Sequence, residues 1–224
     1  MRIAIPKGRL QDRALGVFAA AGYEVPSDLG RRLVFDRGGV GWIFVKDCDV
    51  PVYVEHGAAD AGIAGLDQIL EHECSAYQPV EFDFGRCSLM LIAASGAPPL
   101  TKIATKYPRI ARQYLDARGL RAEIVPLGGS VELAAVLALT SHVVDLVESG
   151  ETVRVHKLEI QDLVREISPR LIIGRNAYRT NVKEMRELIA RVERVGAPAL
   201  GRAGTTDVTS AREDAPAHTE EKRP

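Results

Sequence analysis

The strongest constraint on the fold is the alternation of short apolar runs with amphipathic segments along residues 1–195. Apolar runs bounded by turn residues predict buried strands, whereas apolar residues repeating with a helical period predict helices. We predict strands at 2–6, 33–35, 42–45, 61–64, 80–84, 89–94, 103–105, 122–125, 143–147 and 171–173. We predict helices at 10–21, 49–56, 66–72, 107–118, 131–139, 159–166 and 182–195. This alternation is typical of an α/β protein with largely parallel sheets covered by helices on both faces.

A glycine- and proline-rich break divides the pattern near its middle. The segment Ser95-Gly96-Ala97-Pro98-Pro99 interrupts the alternation, which then restarts. We therefore expect two lobes, each built around its own sheet. Ligands of open α/β sheets bind beyond the carboxyl ends of the strands, so the cleft between the lobes is the expected site.

Composition and charge exclude several classes of function. The 29 Lys and Arg residues nearly balance 30 Asp and Glu, so no overall field favours a nucleic acid. No apolar run reaches the roughly 18 residues that a membrane helix needs, and the first residues lack the apolar core of a secretory signal. We expect a cytoplasmic protein that binds neither nucleic acid nor a membrane.

Cysteine and histidine usage argues against a metal held by the protein. The three cysteines lie far apart in the sequence, and the five histidines lack metal-ligand spacing. We expect reduced, packed thiols and no metal ligands. Beyond Gly196 the composition becomes polar and rich in Gly, Ala, Thr and Pro, so we predict a disordered tail at 197–224.

The most informative candidate site is the turn that follows the β-branched run 143–147. Ser149 and Thr152 supply hydroxyl groups, and Gly150 lets the backbone approach a ligand closely. Asp145 and Glu148 are placed to accept hydrogen bonds from sugar hydroxyls. The segment therefore fits a ribose-phosphate cradle, and it fits equally an ordinary turn in which Ser149 caps the next helix.

Two basic segments are candidates for binding phosphate. Lys7-Gly8-Arg9 follows the first predicted strand, and two cations at a strand end are suited to clamping polyphosphate. Arg31-Arg32 precedes the strand that begins at Leu33. A solvated surface turn is the alternative for both segments.

Several blocks of the chain, taken together, resemble the ATP phosphoribosyltransferase family of histidine biosynthesis. The blocks are residues 5–10, 49–60, 104–108, 129–134, 144–152 and 170–173. They occur in the family's order and span roughly residues 1–195, which is more specific than any single motif.

The resemblance implies a two-lobed fold of the periplasmic-binding-protein kind, type II, with the active site in the interlobe cleft. We assign residues 1–94 with 169–196 to the first lobe, 95–168 to the second lobe, and 197–224 to a disordered tail. The length resembles the short form of the family. This form implies a homodimer within a hetero-oligomer that contains a histidyl-tRNA-synthetase-like regulatory subunit.

The activity implied is transfer of the phosphoribosyl group of phosphoribosyl pyrophosphate to N1 of ATP, with release of pyrophosphate and with Mg²⁺ bound by the substrates. The resemblance assigns catalytic roles to Arg9, Arg31 and Arg32, and ATP binding to Lys7, Gly8 and Glu132. It assigns phosphoribosyl pyrophosphate to Asp145, Glu148, Ser149, Gly150, Glu151 and Thr152.

The chain departs from the family pattern at a few positions. Ala138 replaces a glycine, Leu66 replaces a frequent lysine, and Glu151 stands where an amide or basic residue is usual. A carboxylate beside a phosphate is repulsive unless it faces solvent or a magnesium ion. These departures keep two alternatives open, a divergent non-catalytic paralogue and a cytoplasmic small-molecule-binding protein of the same fold.

Overall fold

A computed structural model describes residues 1–196, so the predicted tail at 197–224 lies outside the described part. The strands are β1 (Arg2–Lys7), β2 (Val34–Arg37), β3 (Val40–Lys46), β4 (Ala61–Gly65), β5 (Tyr77–Glu81), β6 (Cys87–Ala94), β7 (Lys102–Thr105), β8 (Glu123–Pro126), β9 (His142–Val147), β10 (Leu158–Ile167) and β11 (Pro169–Ile173). The helices are α1 (Gln11–Ala20), α2 (Val50–Glu55), α3 (Leu66–Glu71), α4 (Pro108–Ala117), α5 (Glu132–Val136), α6 (Glu151–Val155), α7 (Arg175–Thr180) and α8 (Val182–Gly196).

The strands form two mixed sheets. The first sheet has the order β2-β3-β1-β4-β11-β5 and the second the order β10-β6-β9-β7-β8. The pairs of β1 with β3 and β4, and of β7 with β8 and β9, are parallel. The other pairs are antiparallel, so the expectation of largely parallel sheets holds only for β3-β1-β4 in the first sheet and for β9-β7-β8 in the second.

The chain crosses between the sheets twice, before β6 and after β10. The predicted first lobe, residues 1–94, therefore contained one strand that belongs to the second sheet. Strand β6 lies there because both of its edges pair with second-sheet strands, β9 and β10. The break at Ser95–Pro99 is a loop within the second sheet, and the residue boundaries assigned to the two lobes remain a prediction.

Each sheet has its own apolar core. In the first, Trp42 of β3 is fully buried and meets Phe18 of α1 edge to face, with ring centroids 5.4 Å apart. Helix α8 contributes Met185, Leu188 and Val192, which share one helical face and are all buried. The second sheet carries apolar clusters around Ile103, Tyr107 and Leu115, and around Val131, Val143 and Leu158.

The prediction of a helix at 159–166 was wrong, because this segment is strand β10. Its apolar residues repeat with a helical period, yet it pairs antiparallel to β6 along its whole length. Register shifts between Ile160 and Asp162 and between Leu163 and Arg165 change which face the side chains occupy. Because each bulge shifts the alternation of side chains between the two faces, this strand can carry apolar residues that repeat with a helical period.

Helix α3 connects the two sheets. Leu66 and Leu70 pack against the apolar cluster of the second sheet. The carboxylate of Glu71 accepts the backbone N–H groups of Arg109 and Ile110 at 3.0 and 3.1 Å. These amides belong to the first turn of α4 and have no partner within their own helix. The Glu71 carboxylate of α3, the helix that follows the first-sheet strand β4, therefore caps α4, a helix of the second sheet.

Helix α5 ends three residues earlier than predicted, because the backbone turns at Ala138. Ala138 has φ +55°, in the left-handed region that favours glycine. Ser130, predicted to cap α5, has φ +47°, and no side-chain hydrogen bond caps this helix. The alanine in place of the family's glycine is thus a strained position.

We predict that Ala138→Gly raises the free energy of unfolding by roughly 0.5–1 kcal/mol, because relief of the left-handed strain outweighs the added chain entropy of glycine. Chemical denaturation measures the change. Ala117→Gly, the same substitution on an exposed helical residue, is the control and should lower stability by roughly 0.5–1 kcal/mol. A loss of stability in Ala138→Gly would contradict the argument.

Candidate active site

The carboxyl ends of the central strands of both sheets meet at one cavity of about 200 Å³. The first sheet and its connections contribute Lys7, the last residue of β1, Arg9, which follows β1, and Asp67 of α3. The second contributes Lys106 and Tyr107, which follow β7, and Leu146 of β9. The cavity therefore lies where the sequence analysis expected a ligand, between two sets of strand ends.

One ion pair joins the two candidate segments across this cleft. Arg9 donates from Nη1 to Glu148 Oε2 at 2.8 Å, although the residues are 139 positions apart. Both side chains are about half exposed, at 46% and 59%. Arg9 Nη2 also lies 3.8 Å from the Sγ atom of the buried Cys87. The predicted pyrophosphate cation and the predicted phosphoribosyl loop are thus in direct contact.

A second cavity, of about 240 Å³, lies beside β9. Glu132, Asp145 and Thr152 line it together with apolar residues such as Val143 and Leu158. These three polar residues all belong to the segments predicted to bind substrate. The cavity therefore combines a carboxylate pair and a hydroxyl with an apolar wall.

Asp145 is the most buried carboxylate among the predicted site residues. Burial raises the pKa of its carboxyl group, and the nearby Lys106 ammonium and the N–H of Leu146 act in the opposite direction. The Lys106 Nζ atom lies 3.8 Å from Asp145 Oδ1. Leu146 donates its N–H to the same oxygen at 2.9 Å. The carboxylate is thus held in a fixed position as a hydrogen-bond acceptor.

The loop after β9 turns sharply at Gly150. Gly150 has φ +74° and ψ 3°, a left-handed conformation that glycine adopts without steric cost. Ser149 Oγ accepts the N–H of Glu151 at 3.4 Å. Glu151 begins α6, which the sequence analysis had not predicted, and its side chain is exposed. Because the Glu151 side chain is exposed, its carboxylate lies outside the walls that residues 1–196 form around the two cavities.

Arg31 and Arg32 lie apart from these contacts, in an exposed turn before β2. The N–H of Phe44 in β3 donates to Leu33 O, and Lys46 of β3 pairs with Lys7 of β1. Two strand spacings therefore separate this turn from Lys7, roughly 10 Å at the same edge of the sheet. Gly8 forms the turn between Lys7 and Arg9, with φ +96°.

The sequence analysis missed Asp67, a buried carboxylate in the cavity wall. Asp67 is 5% exposed and accepts a hydrogen bond from Gln68 Nε2 at 2.8 Å. A Cβ atom at Gly65 would lie 2.2 Å from Asp67 Oδ1, so only glycine permits this position. Burial is the main cause that raises the pKa of the Tyr107 hydroxyl, and the nearby Asp67 carboxylate raises it further. The polar pair Asp67-Gln68, two residues beyond the end of the buried strand β4, was the available signal.

The described residues include no cluster of His, Cys, Asp or Glu suited to hold a metal ion. Within residues 1–196, the helices also lack the length and apolar character needed to cross a membrane.

Comparison with known proteins identifies the family. A family model described as HisG: ATP phosphoribosyltransferase matches residues 46–194. The chain belongs to the ATP phosphoribosyltransferase family. A family member from Deinococcus radiodurans is 42% identical over 201 residues, which cover 89% of this chain and 92% of the relative. The predicted enzyme, a pentosyltransferase that carries out the first step of histidine biosynthesis, is thereby confirmed.

Solved structures support the same assignment. A chain described as part of the ATP phosphoribosyl transferase (HisG:HisZ) complex from Thermotoga maritima has a TM-score of 0.78 and 31% identity, covering 87% of this chain and 98% of that one. The alkanesulfonate-binding protein SsuA from Xanthomonas axonopodis pv. citri has a TM-score of 0.54 at 11% identity, over 87% of this chain and 72% of its own. The second likeness concerns the fold alone, and it confirms the predicted fold class for this family member.

We predict that Asp145→Asn raises the free energy of unfolding at pH 7, because burial raises the pKa of Asp145 in the folded state. A carboxyl pKa that is raised in the folded state means that folding disfavours the charged form. The charged carboxylate therefore lowers the free energy of unfolding of the wild type at pH values above the folded-state pKa. Chemical denaturation from pH 7 downward should show the advantage of the Asp145→Asn variant shrinking as the wild-type carboxylate becomes protonated. A variant less stable than the wild type at pH 7 would contradict this reading.

Proposed function

We propose that phosphoribosyl pyrophosphate binds across the interlobe cleft with its sugar on the second lobe and its pyrophosphate near the first. The backbone and hydroxyl groups of Ser149, Gly150 and Thr152 bind the 5′-phosphate. Asp145 and Glu148 accept hydrogen bonds from the ribose hydroxyls. The contact of Arg9 with Glu148 is the observation that carries this proposal, because it brings a phosphate-binding cation to the sugar-binding loop.

ATP enters the same cleft beside the pyrophosphate in this proposal. Lys7 and the turn at Gly8 bind its phosphates, while Glu132 lies on the side of the second cavity. Arg31 and Arg32 stand at the same sheet edge as Lys7, and their long exposed side chains neutralise phosphate charge there. Glu151, which is exposed, stays in solvent and does not oppose the phosphate.

The reaction joins N1 of the adenine ring to C1 of the ribose while the bond from C1 to the pyrophosphate oxygen breaks. N1 is unprotonated at neutral pH, so the cleft needs no strong base to activate it. Its task is to hold two polyanions in line, and positioning of this kind supplies up to about 7–11 kcal/mol of a barrier. The arginines stabilise the charge that accumulates on the departing pyrophosphate.

The family reaction uses a divalent metal, and we propose that it is Mg²⁺ carried by the phosphates. Asp47 and Asp67 line the cavity, and an ion that keeps phosphate oxygens and waters as ligands needs only one or two protein carboxylates. Such an ion supplies charge neutralisation to the leaving pyrophosphate.

We also propose that the chain forms a homodimer and assembles with a histidyl-tRNA-synthetase-like regulatory subunit. The similarity to a Thermotoga maritima chain described within a HisG:HisZ complex supports the hetero-oligomer. A cytoplasmic location remains a prediction from the sequence.

We predict that Arg9→Met lowers the rate of phosphoribosyl-ATP formation by about 100-fold or more, since it removes a cation aimed at the departing charge. The half-exposed Arg9–Glu148 pair contributes less than about 1 kcal/mol to stability, so thermal unfolding should change little. Arg86→Met is the matched control, because Arg86 pairs with Glu81 and Asp83 at the surface.

The rates should be measured with ATP and phosphoribosyl pyrophosphate, both with and without the regulatory subunit. A fully active Arg9→Met would remove Arg9 from the site. A wild-type chain that makes no product in the presence of its partner would favour a non-catalytic paralogue.

We predict that Thr152→Val weakens binding of phosphoribosyl pyrophosphate by about 10–100-fold, the loss expected for a hydrogen bond to a charged group. Thr152 is exposed at the edge of the second cavity, so the melting temperature of the Thr152→Val variant should stay near that of the wild type. Calorimetry measures the affinity, and Thr101→Val, at another exposed threonine, is the control. Equal affinities in Thr152→Val and the wild type would place the 5′-phosphate elsewhere.

A further inference from the structure

Lys106 is a cation of the cleft to which neither the sequence motifs nor the family blocks assign a role. It follows β7 directly and lines the same cavity as Lys7 and Arg9, which approach from the first sheet. Its side chain is 36% exposed, so its ammonium group is accessible to a ligand while its stem packs against protein. The cavity wall thus carries three cations, of which Lys106 alone belongs to the second lobe.

The backbone on both sides of Lys106 is fixed by buried contacts. Thr105 Oγ1 donates to Val144 O at 2.7 Å and accepts the N–H of Tyr107 at 2.9 Å. Thr105 is fully buried, so these bonds hold the end of β7 against β9 next to Asp145. Beyond Tyr107, Glu71 caps the first turn of α4. Lys106 therefore projects from a rigid support.

The position of the ammonium group links the two substrate regions. Lys106 Nζ lies 3.8 Å from Asp145 Oδ1, the carboxylate proposed to bind ribose. It also lies 5.7 Å from the centroid of the Tyr107 ring, which forms part of the cavity wall. A separation of 3.8 Å exceeds hydrogen-bond length, so the donors of Lys106 remain available to a third group. That group would sit between the ribose and the cations of the first lobe.

In phosphoribosyl pyrophosphate, the atom at this junction is the oxygen that joins C1 of the ribose to the pyrophosphate. We propose that Lys106 Nζ donates a hydrogen bond to this oxygen and stabilises the charge that develops on it during transfer. As the bond from C1 to oxygen breaks, its electron pair passes to the pyrophosphate, while N1 of ATP supplies the pair for the new bond. The proposal rests on the substrate placement given above.

Contact with the departing oxygen gives Lys106 a signature in the kinetics. An interaction that strengthens only as charge develops raises kcat, whereas uniform binding of the substrate changes KM. Lys106→Met removes the charge and keeps the length of the side chain. Lys106→Arg retains the charge and should restore most of the activity.

The test compares both variants with the wild type, assembled with its regulatory subunit, by the rate of phosphoribosyl-ATP formation. We expect Lys106→Met to lower kcat by about 100-fold while KM for ATP changes by less than about threefold. Lys106→Arg should lie within about tenfold of the wild type. Lys102→Met, which removes a lysine of the same strand paired with Glu123 at the surface, is the control and should remain fully active.

A second measurement uses inorganic pyrophosphate alone as the probe, titrated calorimetrically into each variant. Weaker binding to Lys106→Met but not to Lys102→Met would support the contact. A kcat of Lys106→Met within about threefold of the wild type would overturn the proposal, as would a Lys106→Arg variant no more active than Lys106→Met. An inactive wild type would instead overturn the proposed function, so the two failures are distinguishable.

Discussion

The ion pair between Arg9 and Glu148 is the contact on which the organisation of the site depends. It spans the cleft between two separately built sheets and joins the turn after β1 to the loop after β9. Because both side chains are half exposed, the pair adds little to the stability of the fold. Arg9 and Glu148 can therefore release each other and bind ligand groups instead, at a small cost in free energy. This suits a cleft that must admit and release polyanions.

The charged groups of the cleft divide by burial. Asp67 and Asp145 are largely buried and held by neutral donors or by backbone N–H groups, so they offer fixed acceptors. Lys7 and Arg9 are exposed and carry long flexible side chains. Fixed acceptors are suited to selecting the hydroxyls of a sugar, whereas mobile cations follow phosphates whose charge shifts during reaction.

The sequence was sufficient for most of the fold, and the roles of the predicted site residues stay predictions. Hydrophobic periodicity located β1, β4 and β9 nearly to the residue, and the turn at 148–150 was recognisable from its composition, whereas α6 after it was not predicted. Strand β10 was missed because its apolar period is helical, and only pairing with β6 makes it a strand. Asp67 and Lys106 were missed for a related reason. Each lies just after a buried strand, but their meeting in one cleft arises from the packing of one sheet against the other, which a local pattern does not record.

The cap that Glu71 places on α4 bears on how the two halves of the molecule move. Separating the halves at that point would break the bonds of one carboxylate to two backbone amides, whereas separating them near Arg9 breaks a half-exposed ion pair and a weak contact with Cys87. The contact of α3 with α4 is therefore the more firmly bonded of these two connections between the halves, and the contact at Arg9 is the weaker one.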